Sequence, residues 1–307
     1  MAAKRLAGVL PIVHTPFLDD DSIDSASLAR EIDFAFTTGA DGLGTGMVSE
    51  ILRLTSSERI DLTKQIVDLS AGRGAVFAAV GAESIQQALV YAKAAETAGC
   101  DAIMAVPPVT TRLPEAALVD YFRALADGMN LTLIVQDASG YVGQAIPLAV
   151  YVQLLERYGQ EKIVFKPEAA PIGPNLSALR DATGGKARIF EGSGGILLID
   201  SYRRGIAGTM PGMEMLAGIV ALWRALNEGN DAAAYRLYYP ICAIVALQLQ
   251  AGLDGFLAIE KHLLVKQGIF ASDHRRRPYS WDLDGETAAE VDRLIQQLQA
   301  ALAESPR

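Results

Sequence analysis

Short apolar segments alternate with longer amphipathic segments along most of the chain. The apolar segments lack a period-two alternation of polar and apolar residues, which is typical of strands that are buried on both faces in a parallel sheet. The eight segments are residues 8–14, 42–47, 75–81, 102–107, 131–137, 163–168, 187–192 and 205–211.

Helix-start and helix-end signals occupy the intervals between these segments. Thr55 and Glu58 have the spacing of a capping box, and Ser25 and Ser84 mark the first turns of two other helices. Gly99 follows the helix that begins near Ser84, in a position where glycine commonly ends a helix. The intervals therefore predict helices between the apolar segments.

Eight strand–helix units in succession predict an α/β chain folded as a (β/α)8 TIM barrel. A doubly wound open sheet and a pair of three-layer domains are the alternatives. The second alternative needs a linker near the middle of the chain, and no linker-like composition occurs there. From Leu216 onward the pattern is helical without intervening strands. We therefore predict a catalytic barrel domain at residues 1–225 and a C-terminal helical extension at residues 226–307.

The composition and charge argue against several classes of protein. The chain has 307 residues, half of them hydrophobic, and its formal net charge of −9 argues against a nucleic-acid partner. Its two cysteines, Cys100 and Cys242, are far apart, so a disulfide framework is not expected. No apolar run reaches the roughly 18–20 residues that span a bilayer, and the N-terminus lacks a signal-peptide pattern. We expect a cytoplasmic protein with no membrane partner.

Polar residues at the ends of the predicted strands are the candidate site residues, because active sites of barrel enzymes lie at the carboxyl ends of the strands. They are His14, Thr15, Ser49, Glu50, Gln136, Asp137, Lys166, Glu168, Glu191, Ser193 and Thr209. No cluster of His, Cys or carboxylates has the spacing of metal ligands, so we expect no metal.

Lys166 is the most informative of these residues. It ends an apolar strand, where burial disfavours an ammonium ion and leaves a neutral amine that can attack a carbonyl carbon and form a Schiff base. The alternative is a structural lysine neutralised by Glu168 or Asp137. Pro167 restricts the Lys166 backbone to extended conformations, which keeps the residue on the strand. The residues alone leave both interpretations open.

Two glycine-rich segments lie near these strand ends. Residues 42–50 (GLGTGMVSE) match neither common phosphate-binding spacing, and a turn whose backbone N–H groups hold a carboxylate fits better. Residues 191–195 (EGSGG) allow the backbone to approach a ligand closely. Ordinary turn glycines are the alternative for both segments. His14 is a candidate base, although a single histidine on a strand is more commonly a structural residue.

Together these features resemble the dihydrodipicolinate synthase / N-acetylneuraminate lyase family. The resemblance rests on the TPF motif at residues 15–17, a glycine-rich turn that ends in Glu50, a lysine that ends strand 6 and a glycine pair after strand 7. It implies a barrel with a helical C-terminal region, a homo-oligomer (tetramer or dimer), and a Schiff base between Lys166 and a 2-oxo acid substrate. It also places a turn that binds the substrate carboxylate at residues 46–50.

The chain departs from the family at positions where its members usually have tyrosines, one of which transfers protons. Val135 occupies the position of a strand-5 tyrosine, and Val109 follows two prolines where a second tyrosine is expected. Residues 138–140 contain no arginine for a second substrate carboxylate. A valine cannot relay a proton, so dihydrodipicolinate-type condensation is disfavoured.

Two short motifs resemble one branch of the family, the 2-keto-3-deoxy sugar-acid dehydratases, of which the L-2-keto-3-deoxyarabonate dehydratases are an example. The motifs are VQDA at residues 135–138 and FKPE at residues 165–168. The resemblance implies dehydration of a 2-keto-3-deoxy sugar acid. Retro-aldol cleavage to pyruvate plus an aldehyde and a non-catalytic barrel that binds 2-oxo acids are the alternatives.

These expectations assign roles to nine residues. The predicted catalytic residues are Lys166, Glu168 and Ser49. The predicted substrate-binding residues are Met47, Val48, Gln136, Asp137, Gly192 and Met210. No cofactor is expected, because the lysine itself provides the covalent chemistry.

Overall fold

Helices and strands alternate along the chain in the computed structural model, which describes residues 4–304. The strands are β1 (Gly8–Val9), β2 (Gly42–Gly44), β3 (Ala75–Ala79), β4 (Ala102–Ala105), β5 (Thr132–Asp137), β6 (Ile163–Pro167), β7 (Phe190–Glu191) and β8 (Gly208–Thr209). The helices are α1 (Ser25–Thr38), α2 (Ser56–Ser70), α3 (Ile85–Ala98), α4 (Glu115–Gly128), α5 (Leu148–Tyr158), α6 (Ile172–Ala182), α7 (Leu198–Arg203), α8 (Leu216–Asn227), α9 (Asp231–Gln248), α10 (Gly252–Lys266) and α11 (Gly285–Ala303). Each strand lies within a predicted apolar segment and is followed by a helix, so the predicted alternation is confirmed.

Capping residues set the bounds of α2 and α3. At the start of α2, Thr55 Oγ1 accepts a hydrogen bond from the Glu58 N–H at 3.3 Å, and the Glu58 carboxylate accepts one from the Thr55 N–H at 2.8 Å. This is the predicted capping box. Helix α3 begins after Ser84 and ends at Gly99, whose φ of 96° lies in the left-handed region that favours glycine.

Two compact units divide the described chain. The first unit consists of residues 4–7, 55–192 and 200–209, and the second consists of residues 8–54, 193–199 and 210–304. The predicted boundary between residues 225 and 226 separates a barrel from a helical extension, which is a different division, and it stays a prediction.

The strands of the first unit form a parallel array. β3, β4, β5 and β6 pair in chain order, and the register of the last pair places Gln136 beside Lys166. A bridge between Phe165 and Ile189 and the pairing of β7 with β8 continue this order. Most side chains of these strands are buried on both faces of the array, which accounts for their continuous apolar sequences.

In the second unit, a bridge between Ile12 and Gly44 connects the segments of β1 and β2, and helices α8 to α11 follow. Helices α9 and α10 with the short turn between them form the stretch Asp231–Lys266, which is long and apolar enough to cross a membrane by length and composition. The expectation that no such stretch exists is therefore wrong. Half of its most apolar window is buried within the protein.

Both cysteines are free thiols. Cys100 is buried, and burial raises the pKa of its thiol to about 12, whereas Cys242 is half-buried. Cys100 belongs to the packed interior, and a thiol with such a raised pKa is a poor nucleophile at neutral pH.

Candidate active site

The end of β6 places Lys166 beside Gln136 of β5, because the two residues are paired in the strand register. Paired residues of neighbouring strands direct their side chains to the same face of a sheet. Lys166 is 4% exposed and Gln136 is 3% exposed. The next pair, Asp137 and Pro167, lies on the opposite face.

Glu168 completes a set that we call the Lys166 group: Gln136, Lys166 and Glu168. A single carboxylate oxygen, Glu168 Oε2, accepts a hydrogen bond from Gln136 Nε2 at 2.7 Å and lies 3.2 Å from Lys166 Nζ. Burial raises the pKa of Glu168, while the Lys166 charge and the Gln136 hydrogen bond act in the opposite direction. A carboxyl group with a raised pKa beside an amine is suited to proton exchange.

Gly192 packs directly against this group. A Cβ atom at this position would overlap Glu168 Oε1 and Lys166 Cε, so only glycine fits without displacing them. The substrate-binding role predicted for Gly192 stays a prediction, but its position beside the Lys166 group accounts for a glycine after β7.

Glu191 and Thr209 form a buried pair between β7 and β8. The Thr209 hydroxyl donates a hydrogen bond to Glu191 Oε2 at 2.7 Å, and both side chains are at most 1% exposed. After burial itself, the Glu191 charge is the influence that raises the pKa of Glu168. Glu191 therefore acts on the Lys166 group through its charge, and Thr209 hydrogen-bonds to the Glu191 carboxylate.

Asp137 holds the segment that connects β5 to α5. Its carboxylate accepts hydrogen bonds from the Ser139 N–H at 2.9 Å and from the Ile146 N–H at 2.7 Å. Since Asp137 lies on the face opposite Lys166, this geometry favours a structural role. It gives no support to the predicted contact with substrate.

A cavity of about 220 Å³ lies beside Asp137, lined by residues of α5, α6 and the ends of β5 and β6. Tyr151 of α5 lines it, together with Asn175 of α6. Burial raises the pKa of the Tyr151 hydroxyl well above its ordinary value, and the charges of Asp137 and Glu168 act in the same direction. Sequence reasoning missed Tyr151, because an aromatic residue on the buried face of a helix gives no signal beyond packing.

In the second unit, residues 46–50 form a tight turn after β2 that Ser49 holds in place. Ser49 is fully buried, and its hydroxyl accepts a hydrogen bond from the Gly46 N–H at 3.0 Å and donates one to the Val13 carbonyl. The Thr15 hydroxyl donates to the Ser49 carbonyl at 2.6 Å. The catalytic role of Ser49 stays a prediction.

Glu50 anchors the end of the same turn. Its carboxylate lies 2.5 Å from Lys261 Nζ and 3.2 Å from Arg53 Nη1. The residue has a φ of 56°, in the left-handed region that few non-glycine residues adopt. Two buried or half-buried cations therefore explain why this turn ends in a glutamate.

Three other predicted substrate-binding residues belong to the second unit. Met47 is 6% exposed, Val48 is half-buried, and Met210 is 2% exposed. Their roles stay predictions.

The two ring nitrogens of His14 both face carboxylates, which disfavours a role for this residue as a free base.

A model of the dihydrodipicolinate synthetase family matches residues 5–298. The chain belongs to this family. It is 29% identical over 296 residues to the L-2-keto-3-deoxyarabonate dehydratase of Azospirillum brasilense, with 94% of each protein covered. It is 28% identical over 303 residues to the 4-hydroxy-tetrahydrodipicolinate synthase of Acidothermus cellulolyticus, with 95% of this chain and 92% of that protein covered.

Solved structures with dihydrodipicolinate-synthase names have the same fold. The 4-hydroxy-tetrahydrodipicolinate synthase of Methylacidiphilum fumariolicum SolV superposes with a TM-score of 0.87 at 21% identity, and the match covers 98% of each chain. The prophage protein YagE of E. coli K12, solved in complex with pyruvate, gives a TM-score of 0.86 at 24% identity, covering 95% of this chain and 98% of that one. The predicted (β/α)8 barrel with its helical C-terminal region is confirmed, and the protein is a lyase of this family.

Proposed function

We propose that the protein is a Schiff-base-forming lyase that dehydrates a 2-keto-3-deoxy sugar acid. The observation that carries the proposal is the Lys166 group, in which a buried amine at the end of β6 lies 3.2 Å from a carboxylate held by Gln136. Similarity to the dehydratase of Azospirillum brasilense over 94% of the chain supports the substrate class. The VQDA and FKPE motifs support it as well.

The proposed reaction begins when the Lys166 amine attacks the C2 ketone, and loss of water gives an iminium ion. The iminium acidifies C3, and Glu168 accepts a C3 proton to leave an enamine. The enamine expels the C4 hydroxyl, which departs as water with the proton from Glu168. When C5 carries a hydroxyl, tautomerisation and hydrolysis then release a 2,5-dioxo acid and regenerate Lys166. No separate cofactor takes part.

Glu168 replaces the missing tyrosine in this scheme. Val135 has no proton to give, whereas the Glu168 carboxyl has a pKa raised by burial and lies beside the amine. A positioned acid–base group contributes about 10²–10⁴ in rate, so a lyase without the tyrosine needs such a substitute. Retro-aldol cleavage of the same iminium would require deprotonation of the C4 hydroxyl instead of C3.

Borohydride trapping tests the proposal. The protein is incubated with a 2-keto-3-deoxypentonate, reduced with borohydride and digested for mass spectrometry. We expect a reduced adduct on the Lys166 peptide and none in Lys166→Arg, a variant that keeps the positive charge but cannot form a Schiff base. Absence of an adduct with any 2-oxo acid contradicts the proposal. A 2,5-dioxo acid product indicates dehydration, whereas pyruvate plus an aldehyde indicates cleavage.

A further inference from the structure

A second set of buried charged residues lies in the second unit. His14 is fully buried, its Nδ1 lies 3.1 Å from Glu31 Oε1, and its Nε2 lies 2.7 Å from Glu260 Oε2. Glu214, which follows β8, and Gln248 at the end of α9 complete the set. We call these five residues the His14 group.

Three members of the His14 group direct ligand atoms toward one another. A ring nitrogen of His14 and carboxylate oxygens of Glu214 and Glu260 lie within 4.8 Å of one another. Glu214 is 3% exposed, and its Oε2 has no hydrogen-bond partner among residues 4–304. A Cβ atom on Gly212 would overlap this Oε2 and lie 2.7 Å from Glu260 Oε1. Both carboxylates therefore pack against this glycine, and a side chain at this position would displace them.

The other two members orient these ligand atoms. Glu31 Oε1 accepts hydrogen bonds from His14 Nδ1 and from the His14 backbone N–H at 2.9 Å, which fixes the imidazole ring. Gln248 Nε2 donates a hydrogen bond to Glu214 Oε1 at 2.9 Å. The other carboxylate oxygen, Glu214 Oε2, does not take part in this hydrogen bond. Histidines that bind metals almost always donate their second N–H to a carboxylate or carbonyl, as His14 does here.

The charge balance of the group favours a bound cation. Three buried carboxylates face one imidazole, so negative charge is in excess even when His14 is protonated. Lys261, which is adjacent to Glu260, is engaged by Glu50. An uncompensated buried carboxylate is costly unless it is paired or binds a metal.

We propose that His14 Nε2, Glu214 and Glu260 bind a divalent transition-metal ion such as Zn²⁺. One imidazole nitrogen with carboxylate oxygens is a common donor set for such ions, and three protein ligands leave one position open. The ion takes the place of the Nε2 proton, which passes to solvent. Sequence spacing gave no sign of the site, because its ligands lie at positions 14, 214 and 260.

Metal analysis of the full chain tests this site independently of lyase activity. The purified protein is treated with a chelator, incubated with a slight excess of Zn²⁺, desalted and analysed by mass spectrometry for zinc. We expect about one zinc ion per chain and a raised unfolding temperature, because a ligand that binds only the folded state stabilises it. Glu214→Gln, which preserves side-chain shape, should lose the ion. His262→Gln should keep it, because His262 pairs with Asp292 outside the group.

Two results overturn the proposal. One is a wild-type zinc content no higher than that of Glu214→Gln, and the other is a zinc content that falls to the same extent in His262→Gln. Addition of Co²⁺ to the chelator-treated wild-type protein provides a readout that needs no variant to fold. Visible absorption bands of nitrogen- and oxygen-coordinated Co²⁺ are expected, and a spectrum identical to free aqueous Co²⁺ contradicts the site.

Discussion

The Lys166 group and the His14 group are both buried sets of acids and bases, but their charge balance differs. In the Lys166 group, one carboxylate faces one amine, and an amide donates to the same oxygen. In the His14 group, three carboxylates face one imidazole, and Glu31 and Glu214 each keep an oxygen without a partner in the described part of the chain. A balanced pair can pass a proton to substrate and recover it. An excess of buried negative charge instead requires a compensating cation or proton.

Glu168→Gln should produce the largest change that separates the two groups. The amide keeps the shape of Glu168 but cannot accept a proton, so turnover should fall by about 10²–10⁴. The borohydride adduct on Lys166 should persist, because formation of the Schiff base requires the amine. Steady-state kinetics and adduct mass measure the two effects. Glu156→Gln, an exposed position on α5, is the control. Full turnover in Glu168→Gln would place the proton route elsewhere.

Glu260→Gln should show how much the buried contact with His14 stabilises the fold. The amide removes the shorter of the two carboxylate contacts of the imidazole, and breaking a buried ion pair typically costs about 3–5 kcal/mol in free energy of unfolding. Urea denaturation in the presence of a chelator measures this without a contribution from metal. Glu290→Gln removes one carboxylate from an exposed pair with Arg293, which should cost at most about 1 kcal/mol. Equal losses in the two variants would show that the buried contact between Glu260 and His14 adds no more stability than an exposed pair.

The Lys166 group could be predicted from the sequence because its members are local. Lys166 and Glu168 lie two residues apart at the end of one apolar segment, and Gln136 is the penultimate residue of the segment before it. Parallel pairing of consecutive strands brings such residues together without further information. The eight strands could be predicted for the same reason, since burial on both faces leaves continuous apolar runs.

The His14 group could not be predicted, because its residues come from five separate segments of the chain. His14 and Glu214 follow strands, whereas Glu31 and Glu260 are buried positions of helices that read as ordinary polar residues. Asp137 shows a related limit. Its place at the end of β5 suggested contact with substrate, but the pleat turns it to the face opposite Lys166.

Gly192→Ala should affect the Lys166 group through packing alone. The added methyl group overlaps Glu168 and Lys166, and overpacking of a buried site costs about 1–3 kcal/mol in free energy of unfolding. Formation of the borohydride adduct should also slow, because the amine is displaced. Gly285→Ala is the matched control, since no atom lies within 4 Å of its added Cβ. Thermal unfolding and adduct yield measure both effects, and wild-type values for Gly192→Ala would contradict the packing argument.

Gln136→Leu should have the smallest effect, a displacement of the pH profile. The hydrogen bond from Gln136 stabilises the ionised carboxylate and so lowers the pKa of Glu168; its loss leaves burial to raise that pKa further. If ionised Glu168 is the base, activity requires a pH above its pKa. The acid limb of the kcat profile should therefore move to higher pH, with the rate recovering at alkaline pH.

The free energy of unfolding of Gln136→Leu should decrease as pH rises, in the direction set by the further raised pKa of Glu168. A carboxyl whose folded pKa is raised favours the folded state below its ordinary value of 4.5, and that contribution is lost as pH rises through the folded pKa. Gln153→Leu, at an exposed position on α5, should leave both profiles unchanged. An acid limb that stays in place in Gln136→Leu would mean that Glu168 is not the group whose ionisation controls turnover. The balanced charge of the Lys166 group would then be structural, like that of Glu50 and Lys261.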